Sequence, residues 1–314
     1  MEFQPKSAQD KILQDVIFGV VITILIFVAL VYLPVIGFFC IFLLPLPVLF
    51  YRSKLGRNRG ILVPLLTVIL IMSLLGKKPL YLFVDLLLIG FILSEVIELN
   101  LSVEKTILYS SFLALMIGSL FVFFYCSAFD TNLIDLISEY VDKNLSDMIK
   151  FYETSGFAEE QIYLLSKLFD SVKYYIIRTF PALAISGTLF LTWTSLLLAR
   201  PIFNAKGIFY PDFGSLKIWK APEHLVWGVI GCIIMFFLPG KSCGLIGLNG
   251  LIVLMTIYFF NGISIVAFFF EKKQFPGFLR FFIYTFIAIQ QIVLLMVIVA
   301  GFVDTWVNFR KSNT

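Results

Sequence analysis

The sequence predicts an all-α fold, a polytopic transmembrane helix bundle of eight or nine spans with one amphipathic helical hairpin outside the membrane. Hydrophobic residues make up 60% of the chain and charged residues 14%. The mean hydropathy is +0.97, which lies outside the range of soluble domains of this length. Apolar runs fill almost the whole chain and lack the period-two alternation of barrel strands. Helices are therefore expected, because they satisfy their own backbone hydrogen bonds in lipid.

Up to nine apolar runs are long enough to cross the hydrocarbon core, for which a helix needs roughly 17 to 25 residues. They cover residues 16–33, 35–51, 60–76, 79–97, 106–128, 174–199, 222–239, 243–270 and 279–303. Only Gly76, Lys77 and Lys78 separate the third run from the fourth. These two runs are therefore either a pair of spans or a re-entrant hairpin.

The distribution of Lys and Arg predicts the orientation, because short cytoplasmic loops are enriched in both residues. With a cytoplasmic N-terminus, the loops on that side hold most of these residues: Lys6, Lys11, Arg52, Lys54, Arg57, Arg59, Lys105, Arg200, Lys206, Lys217, Lys220, Lys272, Lys273 and Arg280. Nine spans then place the C-terminus outside, and the alternative is an even number of spans with both ends in the cytoplasm. The predicted parts are a membrane half at 1–128, an acidic segment at 129–173 and a second membrane half at 174–314.

An acidic segment from Asp130 to Lys173 interrupts the apolar runs. Apolar residues recur at helical spacing on both sides of residues 154–156, where Gly156 suits a left-handed turn, so two amphipathic helices are expected. The segment holds nine acidic residues against four lysines. An acidic hairpin is disfavoured beside the anionic cytoplasmic leaflet, which predicts an extracytoplasmic position. It is either a solvated connector or a lid over the outer mouth of the bundle.

Asp85 is the acid that lies deepest within an apolar run. A charge at this depth requires a partner, a cavity or a proton. Asp85 is therefore a candidate binding residue for a cation, a cationic substrate group or a proton. The alternative is a structural acid that bonds to a neighbouring helix. Glu95 and Glu98 lie nearer the cytoplasmic end and are expected at the interface.

Four amides in the last two runs are further candidate substrate-binding residues: Asn249, Asn261, Gln290 and Gln291. One helical face of the eighth run combines small and polar residues. It consists of Gly247, Gly250, Asn261 and Ser264. Such a face favours close helix approach with hydrogen bonds across it over contact with a ligand. The same preference applies to the two glutamines.

Trp219, Pro222 and Trp227 predict a segment at the membrane interface. Tryptophan favours the headgroup zone, and proline suits the first turn of the helix that follows. The single histidine, His224, lies in the same segment.

No pattern typical of an enzyme, a metal site or a nucleic-acid-binding protein occurs in the sequence. The cysteines show no metal-ligand spacing and are expected as small buried apolar residues. They are Cys40, Cys126, Cys232 and Cys243. No HExxH motif or nucleophile elbow is present, and the basic residues are scattered over loops. We therefore expect no catalytic activity, no metal, no cofactor and no nucleic-acid partner.

Three segments resemble the bacterial YybS-like family of polytopic membrane proteins. They are Phe213–Trp227, with the pattern Phe-x(5)-Trp-x-x-Pro-x(4)-Trp, the run that begins Phe260-Asn-Gly-Ile-Ser, and the ending Gly301–Lys311. The acidic segment also carries residues at places typical of the family: Tyr152, Gly156, Glu159 and Glu160. The resemblance covers roughly the whole chain.

That family is grouped with the substrate-capturing S components of energy-coupling-factor transporters. The resemblance therefore implies a protein of the bacterial inner membrane that binds or takes up a small molecule through its helical bundle. Its implied partners are the lipid bilayer, the solute and a separate energising module of transmembrane and ATPase subunits. The alternative is a structural or assembly protein that acts through its extramembrane hairpin and loops.

Overall fold

The computed structural model describes residues 6–75 and 80–310, and all regular structure in these residues is helical. A short 3-10 turn at Leu216–Ile218 precedes the tenth α-helix. The α-helices are α1 (Lys6–Tyr32), α2 (Pro34–Leu43), α3 (Pro45–Leu55), α4 (Arg57–Gly60), α5 (Leu62–Leu75), α6 (Leu80–Ile97), α7 (Val103–Ala128), α8 (Leu133–Thr154), α9 (Glu159–Lys206), α10 (Leu225–Phe237), α11 (Lys241–Lys272), α12 (Gly277–Ile289) and α13 (Gln291–Val307).

Four of the described helices are long and apolar enough to cross a membrane. The candidate spans are Asp10–Tyr32, Val103–Ala128, Glu160–Lys206 and Lys241–Lys272. A fifth crossing results if α12 and α13, which meet at a bend of 100°, form one span. Helix α10 is apolar but has only 13 residues. The protein is thus all-helical, with four or five candidate spans in the described part of the chain.

Two of the runs expected as single spans are each divided into two helices. The run at 35–51 is divided at Leu44, directly before Pro45, the first residue of α3. Proline is favoured at the first helical position because an N–H there would have no partner within the helix and because its fixed φ angle suits a helix. The run at 279–303 is divided at Gln290, whose backbone is extended. The boundary at Gly76–Lys78 lies outside the described residues.

The described residues form two compact units. The first contains the residues up to Leu120 together with Gly187–Phe213, and the second contains Phe121–Ser186 and the residues from Gly214 onward. Helices α7 and α9 are each divided between the two units.

The core of the first unit is apolar and includes fully buried residues of α1, α3, α5 and α6. Its largest members are Phe27, Leu44, Ile71, Phe83, Leu87 and Ile89. Helices α3 and α6 approach so closely that a Cβ on Gly90 would collide with the backbone of Pro45. In the loop after α9, Tyr210 donates to the carbonyl of Leu196 at 2.9 Å, and burial raises the pKa of this phenol.

The second unit is built around α11, which packs against α10 and α13. A Cβ on Gly247 would come within 2.5 Å of the carbonyl oxygen of Cys232 on α10. Gly262 of α11 lies against the backbone of Val297, and Gly301 of α13 lies against that of Tyr258. Small residues allow such approach in membrane proteins, where van der Waals packing holds helices together. The close approach predicted for the face of α11 that carries Gly247 and Gly250 is confirmed by their contacts with Cys232, whereas Gly262 and Gly301 were not part of that prediction.

The acidic segment contains α8 and the beginning of α9. Gly156 adopts a left-handed backbone (φ +79°) in the turn between the two helices, as its position in the sequence predicts. Lys173 of α9 forms an ion pair with Asp142 of α8 at 2.6 Å. Helix α9 has 48 residues in all, from Glu159 to Lys206, a length of about 72 Å at 1.5 Å per residue. It is therefore much longer than a single crossing requires.

Candidate functional site

A buried polar cluster surrounds Arg310 in the second unit. Its guanidinium donates to the carboxylate of Asp304 at 2.5 Å and to the side-chain oxygen of Asn261 at 2.9 Å. It also donates to the Ser264 hydroxyl at 2.8 Å and to the carbonyl of Trp219. The Arg310 side chain is 3% exposed and that of Asp304 is 0% exposed. The two opposite charges thus pair in the interior of the unit.

The end of α13 positions Arg310 in this cluster. Asn308 follows the helix in a left-handed conformation (φ 52°), which asparagine tolerates better than most residues. The backbone N–H of Phe309 then donates to the second carboxylate oxygen of Asp304 at 2.8 Å. Lys220 donates to the Asn308 side chain at 2.5 Å. The chain therefore turns back at Asn308 and brings Arg310 beside α11.

The Arg310 cluster joins the three segments that carry the family resemblance. Trp219 belongs to the first segment, Asn261 and Ser264 to the second, and Asp304 and Arg310 to the third. The Asn261 amide also donates to the carbonyl of Gly301 at 2.6 Å. The nitrogen and the oxygen of the Asn261 amide thus both form hydrogen bonds within the protein. These bonds give Asn261 a role in helix packing.

Asn249 bonds to the backbone of α9 next to a proline. Its amide nitrogen donates to the carbonyl of Arg178 at 3.1 Å, and its oxygen accepts from the N–H of Ala182 at 3.3 Å. In a regular helix these two backbone groups, four residues apart, would bond to each other. Pro181 lies between them, and a proline in a helix interior weakens the local hydrogen bonds. Asn249 therefore supports α9 at its proline.

Asp85 lies in α6 of the first unit and is half-buried. Its carboxylate faces Gly118 of α7, where an added Cβ would lie 2.8 Å from the Asp85 Oδ1 atom. Among the described residues, Asp85 has neither a hydrogen bond nor an ion pair. The structural alternative, an acid bonded to a neighbouring helix, has no supporting contact in this part of the chain. The glycine provides the space that the carboxylate occupies.

The remaining predicted residues lie apart from these groups. Gln290 and Gln291 are exposed at the bend between α12 and α13. Trp227 is 75% exposed, as suits a membrane-interface residue, whereas Trp219 is only 9% exposed. Pro222 precedes α10 in a turn in which its carbonyl accepts from the N–H of Leu225. No group of three or more potential metal ligands occurs among the residues that the structure describes.

A crevice of about 590 Å³ lies in the second unit, between α9 and the turn from α10 to α11. Its lining comprises Asp170, Ser171, Tyr174, Tyr175, Phe236, Gly240, Lys241, Gly244, Leu245 and Leu248. The volume is typical of small-molecule sites, which are apolar concavities with a few polar groups. The crevice begins about one helical turn from the Arg178 carbonyl that Asn249 binds.

An ion-pair network in the first unit was not predicted from the sequence. Arg52, which is 1% exposed, donates to Glu95 at 3.0 Å and forms a two-point contact with Glu98. It also donates to the carbonyl of Ser94 at 3.2 Å. The sequence feature that could have indicated this network is the position of Arg52 at the end of one apolar run and of Glu95 and Glu98, one helical turn apart, at the end of another.

Comparison with known proteins places the chain in a family. The family model described as "Predicted membrane protein (DUF2232)" matches residues 21–305. A curated relative, "Uncharacterized protein YybS" of Bacillus subtilis (strain 168), is 27% identical over 267 residues, which cover 82% of each chain. No solved structure matches the chain. The chain belongs to the DUF2232 family of membrane proteins.

Proposed function

We propose that this protein is a solute-binding membrane subunit of a bacterial uptake system, comparable in role to an S component. The observation that carries the proposal is the crevice between α9 and the α10–α11 turn. It combines apolar and aromatic walls with two charged residues, Asp170 and Lys241, in a volume suited to a small molecule.

In this proposal the chain crosses the inner membrane eight or nine times with its N-terminus in the cytoplasm. The shorter apolar helices, such as α5, α6 and α10, complete the crossings beyond the long spans. The α10–α11 turn and the acidic segment then lie on the outer side, where the crevice can receive solute. The segment 130–173 forms the extracytoplasmic hairpin, supported by the antiparallel contact between Asp142 and Lys173.

Asp85 is the residue of the first unit that we propose to bind a cation or a proton. A carboxyl group without a protein partner in an apolar helix is costly and commonly serves to bind a cation or a proton. Asn249, Asn261, Gln290 and Gln291 remain candidates from the sequence, but the contacts of Asn249 and Asn261 favour structural roles. We therefore base the solute site on the crevice.

Native mass spectrometry of the full chain in nanodiscs tests the proposal. The wild type is expected to retain a small molecule, and Ser171→Trp, which fills the crevice, is expected to release it. Gln161→Trp is the matched control, because Gln161 is exposed on the same helix outside the crevice. Equal spectra for all three proteins, with no small molecule retained by any, would contradict the proposal.

A role in assembly is the second candidate, and α8 provides the observation in its favour. This amphipathic helix exposes large apolar residues to its surroundings, with Tyr140 72% and Phe151 65% exposed. Co-purification from native membranes separates the two functions. Transmembrane and ATPase subunits recovered with the chain support uptake, whereas a stable partner that binds through α8 and is lost in Tyr140→Ser/Phe151→Ser supports assembly.

A further inference from the structure

The crevice in the second unit carries two opposite charges that have no partner among the described residues. Asp170 on α9 and Lys241 at the start of α11 both line it. Neither forms a hydrogen bond or an ion pair with any described residue. Two nearby basic residues do have partners. Lys173 pairs with Asp142, and the Arg178 guanidinium lies 3.8 Å from the centre of the Tyr174 ring. One exposed acid and one exposed base thus line the crevice without a partner among the described residues.

Apart from Ser171, the rest of the lining is apolar or aromatic. Tyr174 and Tyr175 lie edge to face, with ring centres 5.4 Å apart. Phe236 of α10 and Leu245 and Leu248 of α11 complete the apolar lining. Aromatic and aliphatic side chains of this kind bind an apolar body, whereas a few polar groups fix its orientation.

We propose that the ligand of this crevice is a small zwitterion with an apolar or aromatic body. Its ammonium group pairs with Asp170, its anionic group pairs with Lys241, and its body contacts Tyr174, Tyr175 and Phe236. The inference rests on the proposed solute-binding function and adds the chemical class of the solute. The same chemistry has two sources, a free amphipathic zwitterion and the headgroup of a zwitterionic lipid.

Three related compounds test the charge requirement. Phenylalanine carries both charges, phenethylamine only the ammonium and 3-phenylpropionate only the carboxylate. Binding to the full chain in phosphatidylglycerol nanodiscs, measured by saturation-transfer NMR, is expected to be up to about fivefold tighter for phenylalanine, because an ion pair with an exposed residue contributes at most about 1 kcal/mol. Equal binding of the three compounds would overturn the proposal.

Variants of Asp170 and Lys241 test which charged group of the ligand pairs with each residue. Asp170→Asn is expected to remove the advantage of phenylalanine over 3-phenylpropionate, and Lys241→Gln to remove its advantage over phenethylamine. Glu160→Gln on α9 and Lys272→Gln at the other end of α11 are matched controls outside the crevice, and they should leave the ranking unchanged. An unchanged ranking in Asp170→Asn and Lys241→Gln would also overturn the assignment.

Nanodiscs that contain phosphatidylethanolamine distinguish a lipid headgroup from a free solute as the natural ligand. If a lipid headgroup is the natural ligand, this lipid weakens phenylalanine binding to the wild type and co-purifies with it, but not with Asp170→Asn. If the ligand is a free solute, the lipid has no effect. Absence of both phenylalanine binding and lipid retention overturns the zwitterion class. If the wild type retains a small molecule of another class and Ser171→Trp releases it, the solute-binding function is supported although the zwitterion class is wrong.

Discussion

Arg310 and Asp304 form an ion pair whose two side chains are almost completely buried, six residues apart at the end of α13. Asn261, Ser264 and the carbonyls of Trp219 and Lys217 accept further hydrogen bonds from the guanidinium, whereas its Nε has no partner among the described residues. Burial of a charge pair is favourable only when such additional bonds are present. The pair therefore holds the segment after α13 against α11 as long as both partners remain.

Removal of Arg310 is expected to destabilise the second unit. Arg310→Gln leaves the Asp304 carboxylate buried without its cation, which costs about 3–5 kcal/mol. Thermal unfolding of the protein in nanodiscs should show a clear fall in the midpoint. Lys150→Gln is the control, because Lys150 is 72% exposed on α8. A midpoint that matches this control would show that the pair contributes nothing to stability.

Arg52 is expected to stabilise the first unit far more than Arg57. Both arginines contact Glu95, but the side chain of Arg52 is 1% exposed whereas that of Arg57 is 75% exposed. Arg52→Met removes charged hydrogen bonds of about 1.5–3 kcal/mol each, and Arg57→Met removes a surface pair of at most about 1 kcal/mol. Unfolding midpoints of the two variants provide the comparison. Equal effects would contradict the burial argument.

Asn249 and Pro181 are expected to be energetically coupled. Asn249→Leu leaves the Arg178 carbonyl and the Ala182 N–H without their side-chain partner. In a Pro181→Ala background these two groups can bond to each other, so Asn249→Leu should cost less there by about 1–2 kcal/mol. A double-mutant cycle on unfolding midpoints measures the coupling, and hydrogen exchange at Ala182 locates it. Additive effects of the two substitutions would refute it.

Asp85→Leu is expected to raise stability, because it replaces a carboxyl group that has no protein partner among the described residues. The cost of an acid at a membrane helix centre is about 2.5–3.5 kcal/mol on insertion scales. Asp304→Leu is the matched control, since Asp304 is a partnered acid and its loss should lower the unfolding midpoint. If Asp85→Leu lowers the midpoint as Asp304→Leu does, Asp85 is a structural acid.

The sequence predicted the helical class and most of the helices, because membrane helices depend on long apolar runs that are local in the chain. It also located the left-handed turn at Gly156 and the packing face of α11. The divisions at Leu44 and Gln290 were not predicted, because an apolar composition does not show where a helix is interrupted.

The sequence by itself determined that this chain belongs in a membrane, since its mean hydropathy lies outside the range of soluble domains of this length. Only the tertiary structure decided which polar groups are already satisfied. Asn249 and Asn261 use their amides to bond backbone groups of other helices, whereas Asp170 and Lys241 line one crevice from different helices and have no partner in the described part of the chain. The physical reason is that a polar group is satisfied by neighbours in space, and these partners lie about 40 to 71 residues away in the chain.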